Sequence, residues 1–218
     1  SPSYPILASI DYARHILTTD KNLFTSYIET ITEARHELAH CKVLKLVNDS
    51  IKGENDIFDL DISKFTIMVR TEMTGKELSD ILLNKYNIQI EMAGPHHIIA
   101  MTSVADDPKG IKKFVKAIRD IDKKLERKYI DKLPLEIAPV REPQMTPRNV
   151  YYAEKEYVPI DKGEGRIPAS IIMAYPPGIP IVSVGEVLTK GHIEQIETLQ
   201  KLDVDVIGVD NDEILVVK

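Results

Sequence analysis

The 218-residue sequence contains one cysteine, Cys41, and no tryptophan. A single thiol cannot close an internal disulfide, so packing must hold the fold, as expected in a reducing cytoplasm. No apolar run approaches the roughly 18 residues of a membrane span. No stretch reads as a signal peptide, although SPSYPILAS begins without Met, as a piece cut from a longer chain would. Positive charge is scarce: Lys and Arg number 28 against 34 Asp and Glu, a net charge of −6. With no basic stripe interleaved with aromatics, this excludes a nucleic-acid footprint and mildly favours cationic over anionic small molecules. G-x-G-x-x-G, P-loop, C-x-x-C and G-x-S-x-G motifs are absent, as are repeats and low-complexity tracts.

What is present reads as an ordinary globular chain, 43% hydrophobic and 28% charged. Residues 20–41 space Leu23, Tyr27, Ile31, Ala34, Leu38 and Cys41 by three and four, which predicts a long amphipathic helix. The acidic stretch 51–61 reads as a loop and KFTIMV (64–69) as a strand. Thr74 and Glu77 form a T-x-x-E capping box that opens a second helix. IQIEM (88–92) and HIIAMT (97–102) flank Gly94-Pro95 as two strands and a turn. Asp107-Pro108 caps a helix carrying Ile111, Phe114, Val115, Ile118 and Ile121, with Lys123 and Lys124 at its basic end. The order β-α-β-β-α makes a compact α+β unit. A proline-rich linker at 132–148 follows, then a short helix from Thr146-Pro147, a helix near 189–202 and two apolar runs around Asp210-Asn211-Asp212.

Two motifs suggest chemistry. HELAH (36–40) matches H-E-x-x-H, in which His36 and His40 would bind zinc beside Glu37. Val43 and Leu46 stand where extended zinc peptidases place a glycine and a third histidine. The helix phase also puts both histidines about 200° from the apolar stripe, on the polar face. A solvated helix face is the reading adopted, and no metal is expected. The acidic residues Glu54, Asp56, Asp59 and Asp61 could meet a substrate ammonium, though such runs are usually solvated loop. The second motif is MAYPPGIPIVSVGE (173–186), with three prolines and a glycine between Tyr175 and Pro180. Proline fixes φ, so this segment holds one shape with little packing of its own. The residues alone leave turn and binding wall equally open.

The segment from Ala138 to Glu186, with its T-P-R, E-x-V-P, G-R-I and Y-P-P-G-I-P elements in order, resembles the C-terminal region of the ornithine/lysine/arginine decarboxylases. SPSYPILASIDYAR is similar to the segment that follows the cofactor lysine in that family. FDLDISKFTIMV, the capping-box helix, IEMAGPHHII and DPKGIKKFVKAI form a third match. Two departures affect loop shape: Ala174 replaces a proline before Tyr175, and Ser183-Val184-Gly185-Glu186 lacks the proline usual before Gly-Glu.

The resemblance implies an α/β and α+β fold. Residues 1–45 would end a pyridoxal-phosphate-dependent, transferase-like large domain. Residues 46–131 would form an α+β small domain, and 132–218 a C-terminal decarboxylase domain with its linker. It implies a cytoplasmic homodimer that decarboxylates a basic amino acid and needs the N-terminal half of the same enzyme as partner. The family's His-Lys pair, whose lysine holds the cofactor aldehyde, is absent from this sequence and is expected upstream of Ser1. The chain taken alone is therefore expected to be inert and to contain no catalytic residue. Ser1 and Ser3 become candidates for the cofactor phosphate of a neighbouring subunit, with a helix cap or turn as the plain alternative. Tyr175, Pro176, Pro177 and Gly178 become an active-site wall, and Glu54 and Asp56 candidates for the substrate's distal amine. A stand-alone small-ligand module remains the alternative, since β-α-β-β-α also suits sensor domains.

Overall fold

The computed structural model describes residues 2–20, 22–54, 56–126, 142–175 and 178–218. Two helices, α1 (Tyr4–Thr19) and α2 (Leu23–Leu38), precede strand β1 (Leu44–Leu46) and strand β2 (Lys64–Val69). Next come α3 (Gly75–Tyr86), β3 (Met92–Gly94), β4 (His97–Met101) and α4 (Pro108–Asp122). The expected β-α-β-β-α succession is therefore present, with sheet order β1-β2-β4-β3. After it lie α5 (Pro147–Tyr152), β5 (Lys155–Pro159), β6 (Ile172–Tyr175), β7 (Ile179–Val182), α6 (Lys190–Lys201), β8 (Asp205–Ile207), β9 (Val209–Asp210) and β10 (Glu213–Val217). The chain divides into two compact units. Ser1–Thr71, Ile81–Glu91 and Ile98–Arg127 form the first; Glu72–Asp80, Met92–His97 and Lys128–Lys218 form the second. Most of the proline-rich linker expected at 132–148 lies outside the described residues.

In the first unit, α4 shows how the pattern becomes packing. Asp107 Oδ1 accepts the Lys109 amide at 2.8 Å, and Pro108 needs no partner at the helix start. Ile111, Phe114, Val115, Ile118 and Ile121 are all buried. Each contributes about 2 kcal/mol of transfer free energy, an upper figure because denatured chains also bury apolar surface. Phe114 meets Phe65 of β2 edge to face, ring centroids 5.8 Å apart. On α2, Ile31, Ala34 and Leu38 are buried, which is the predicted stripe.

The carboxylate of buried Asp122, at the end of α4, accepts the backbone amides of Lys42, Val43 and Leu44 at 2.8–2.9 Å. Those amides lead from α2 into β1, and no helix or sheet partner serves the first two. Nearby, Arg35 donates to the carbonyls of Val47 and Lys64 at 2.7 and 3.1 Å, and its guanidinium lies 5.5 Å from the Phe65 ring centre.

Several elements differ from the sequence reading. Helix α1 has no counterpart in it: its apolar residues Ile6, Ile10, Ala13 and Leu17 recur at helical spacing, yet none is buried. Residues 88–91 are not strand; β3 starts at Met92. The cause is the end of α3, where Asn87 turns left-handed at φ 51 and the amides of Asn87 and Ile88 return to Leu83 and Leu82. Strands β1, β5, β6 and β7, each five residues or fewer, are likewise additions. The Thr74–Glu77 capping box forms as predicted, Thr74 N to Glu77 Oε2 at 2.7 Å and Glu77 N to Thr74 Oγ1 at 3.1 Å.

In the second unit, β5-β10-β9 and β7-β6-β8 form two three-stranded sheets. Ile172, Val182, Leu188, Ile196, Ile214 and Val216 are at the centre of its core, each no more than 1% exposed. Thr189 and His192 close a capping box at the start of α6.

Replacing Asp122 by alanine orphans three backbone N–H groups, two of them in buried hydrogen bonds. The expected loss is about 3 kcal/mol in denaturant unfolding, with Asp122→Asn intermediate because its amide keeps one acceptor oxygen.

Candidate functional site

The described part of the Y-P-P-G-I-P segment lies on two paired strands: Tyr175 ends β6, and Ile179 and Pro180 open β7. Strands β6 and β7 run antiparallel with Ala174 opposite Ile179, and Gly178 N–H closes the turn onto the Ala174 carbonyl at 2.9 Å. Gly178 has φ 97, a conformation side chains disfavour. Pro180 falls on β7, an edge strand, where a missing N–H costs no ladder bond. Tyr175 ends β6 half-exposed, directly across from Asp205 of β8. Pro176 and Pro177 lie outside the described residues, as does Ser1.

Next to this hairpin, Thr74, Lys76, Gly94, Pro95, Tyr175 and Asp205 line a cleft of about 120 Å3, every one of them in the second unit. Lys76 Nζ lies 2.5 Å from Asp203 Oδ2. This hydrogen bond holds the Lys76 ammonium above its ordinary range, with the charges of Asp203, Asp205 and Asp80 adding to it. Sequence reading does not find Lys76, Asp203 and Asp205. Their closeness to Tyr175 depends on strand register and on contacts across 127 residues, which leave no local signal.

The other expected residues do not gather there. Ser3 occupies the N-cap position of α1; its carbonyl accepts Leu7 N–H at 3.0 Å, but its hydroxyl makes no capping bond. Glu54 and Asp56 are exposed in the loop before β2, Asp56 with φ 63, and neither carboxylate has a partner among the described residues. Their neighbours are committed elsewhere: Asp59 pairs with Lys52 at 2.6 Å and Asp61 with Lys64 at 2.6 Å.

His36, on α2, and His40, in the turn that follows it, are exposed, with ring centroids 5.1 Å apart and His40 Nδ1 2.9 Å from the His36 carbonyl. Glu37, the residue that would act as base, is ion-paired to Arg119. No group of three or more metal-binding side chains occurs among the described residues. Cys41 lines a cleft of about 500 Å3 with Lys42, Arg119, Asp122 and Lys123. Burial, then the charge of Asp122, pushes its thiol up to about 11, so it is protonated at neutral pH and is no nucleophile.

Residues 123–212 match the C-terminal domain of the Orn/Lys/Arg decarboxylases. The arginine decarboxylase of Halalkalibacterium halodurans is 31% identical over 216 residues, 97% of this chain and 44% of that protein. That of Bacillus subtilis is 30% identical over 90% of this chain and 41% of its own length. The chain thus spans less than half the length of these relatives. The constitutive lysine decarboxylase of E. coli superposes over 100% of this chain and 44% of its own, with TM-score 0.77 and 19% identity. Lysine decarboxylase A from Pseudomonas aeruginosa does so over 100% and 43%, with TM-score 0.72 and 19% identity. At such identities the superpositions establish a shared fold.

Burial lowers the proton affinity of His96 and, with the charge of His96 added, of His97; both His96 ring nitrogens are buried without a partner among the described residues. A folded-state pKa below the unfolded value of 6.5 means that the unfolded chain takes up protons first as pH falls. Thermal stability is therefore expected to drop as pH falls below 6.5, and His96→Gln should flatten that decline. An unchanged profile would refute the assignment.

Proposed function

We propose, from the match of residues 123–212 to the C-terminal domain of the Orn/Lys/Arg decarboxylases, that the chain serves a decarboxylase of a basic amino acid, releasing carbon dioxide and a polyamine-type amine. The observation that carries the reading is a likeness to arginine decarboxylase running over 97% of the chain, not over one motif. Two features of the molecule support it. Helix α1 exposes Tyr4, Ile6, Ile10 and Tyr12, each more than 60% accessible, and buries nothing. An isolated helix of 16 residues is marginal in water, so α1 calls for a partner surface; in this reading the N-terminal half of the same enzyme supplies it. The second feature is the stiff hairpin turn, shaped to stay in place at the edge of a site.

Pyridoxal phosphate, when bound, supplies the electron sink as the substrate's α-carboxylate leaves. The described residues fit that group only in part. No described lysine is buried, so none is held as a desolvated amine for the aldehyde. In this reading the cofactor is held mainly by the N-terminal half, where its lysine lies. The segment from Ser1 to Ser3 lends hydroxyls to the phosphate of a neighbouring subunit, and the Ser3 hydroxyl is free of capping duty. Tyr175, Pro176, Pro177 and Gly178 form a wall, and Glu54 and Asp56 face the substrate's distal amine. The division into 1–45, 46–131 and 132–218, the homodimer and the cytoplasmic setting belong to the same proposal.

The complete enzyme should absorb near the visible edge, lose that band on borohydride treatment, and release carbon dioxide from one of arginine, lysine and ornithine. This chain alone should release none. Absence of both the band and the gas from the complete protein sinks the reading. Gly178→Ala, strained at φ 97, should slow the complete enzyme on the order of tenfold by displacing the wall.

A further inference from the structure

The cleft beside Tyr175 has a rigid frame and an uneven charge. Gly75 N–H donates to the Pro95 carbonyl at 3.1 Å, and a Cβ on Gly75 would collide with the carbonyl oxygens of Gly94 and His97. One wall is therefore backbone packed on backbone. On the other wall, Tyr175 and Asp205 are direct cross-strand partners, so their side chains stand on one face of the sheet, with Cβ atoms about 5 Å apart. Of the two carboxylates lining the cleft, Asp203 is consumed: Lys76 Nζ contacts its Oδ2 at 2.5 Å and its carbonyl at 3.4 Å. The Asp205 carboxylate has no hydrogen bond or close ion pair among the described residues, and the Lys76 charge reaches it only at longer range. The cleft therefore presents one unneutralised carboxylate next to one aromatic ring, in a space of about 120 Å3.

We infer that this cleft binds the cationic head of a small basic molecule, a guanidinium or primary ammonium, paired to Asp205 beside the Tyr175 ring. A carboxylate supplies charge-assisted hydrogen bonds to such a head, and an aromatic ring adds a cation–π attraction. The space of about 120 Å3 is large enough to admit such a head. The inference leans on the decarboxylase reading only for the source of the molecule, a basic amino acid or the amine left when its carboxylate departs.

The chain is titrated at low salt with arginine, agmatine and citrulline while the backbone amide resonances of Tyr175 and Val206 are followed. Arginine and agmatine should shift them alike, and neutral citrulline should not. Asp205→Asn should weaken binding about tenfold or more, the scale of one charge-assisted hydrogen bond. Lys76→Gln, which releases Asp203, should leave binding intact or tighten it. Citrulline binding as well as arginine, Asp205→Asn binding like the wild type, or shifts centred on Glu54 and Asp56 would overturn the site. If the complete enzyme decarboxylates normally while the chain binds none of the three ligands, only this inference falls. If the chain binds as described and the complete protein decarboxylates nothing, only the decarboxylase reading falls.

Discussion

The first unit depends on a carboxylate placed where backbone runs out of partners. Asp122 ends α4 with its side chain buried and takes up the amides of Lys42, Val43 and Leu44. A buried charge is tolerated only when hydrogen bonds replace its hydration, and three charge-assisted bonds from peptide groups do that here. The same contact fixes where α2 stops and β1 starts, so the apolar stripes of α2 and α4 are brought to the sheet in a set register. Arg35 does the complementary work, satisfying the carbonyls of Val47 and Lys64 from the α2 side. Two polar side chains thus satisfy backbone groups beside a largely apolar core.

The second unit is organised differently. Its core is a set of β-branched and leucine side chains from both small sheets and α6, and its shape at the surface comes from turns. Positive φ at Gly178, Asp203, Asn211 and Asp212 marks the reversals that place β7, β8 and β10. Asp203 is both a turn residue and the partner of Lys76. The β6–β8 pairing and a glycine-built crossing at Gly75 together hold Tyr175 and Asp205 at the cleft. Such pre-ordering lowers the entropy lost when a ligand binds.

Much of this was legible in the residues. The stripe Ile31, Ala34, Leu38, the Thr74–Glu77 box, Asp107-Pro108 and Thr146-Pro147 each gave a helix in the right place, because caps and 3.6-residue periodicity are local. Strand β3 was displaced by the left-handed Asn87, and no pattern announces whether an asparagine will take that conformation. Helix α1 was missed although Ile6, Ile10, Ala13 and Leu17 carry a helical spacing; what the residues could not show is that this face buries nothing in this chain. For the candidate site, the Y-P-P-G-I-P segment was found but its form was not. The resemblance pointed to a wall, and the structure adds that the segment's described ends lie on the antiparallel strands β6 and β7.

The sequence by itself determined helix ends, the exposed setting of His36 and His40, and the resemblance carried by residues 138–186. Each is written in neighbouring residues or in a run of motifs. Tertiary structure alone decided that Asp122 would serve amides 78–80 positions away, that Glu37 would be taken by Arg119, and that Asp205 rather than Asp203 would keep an unpaired carboxylate. Those outcomes turn on which strand pairs with which and in what register, and a shift of one residue would send Asp205 to the opposite face of its sheet.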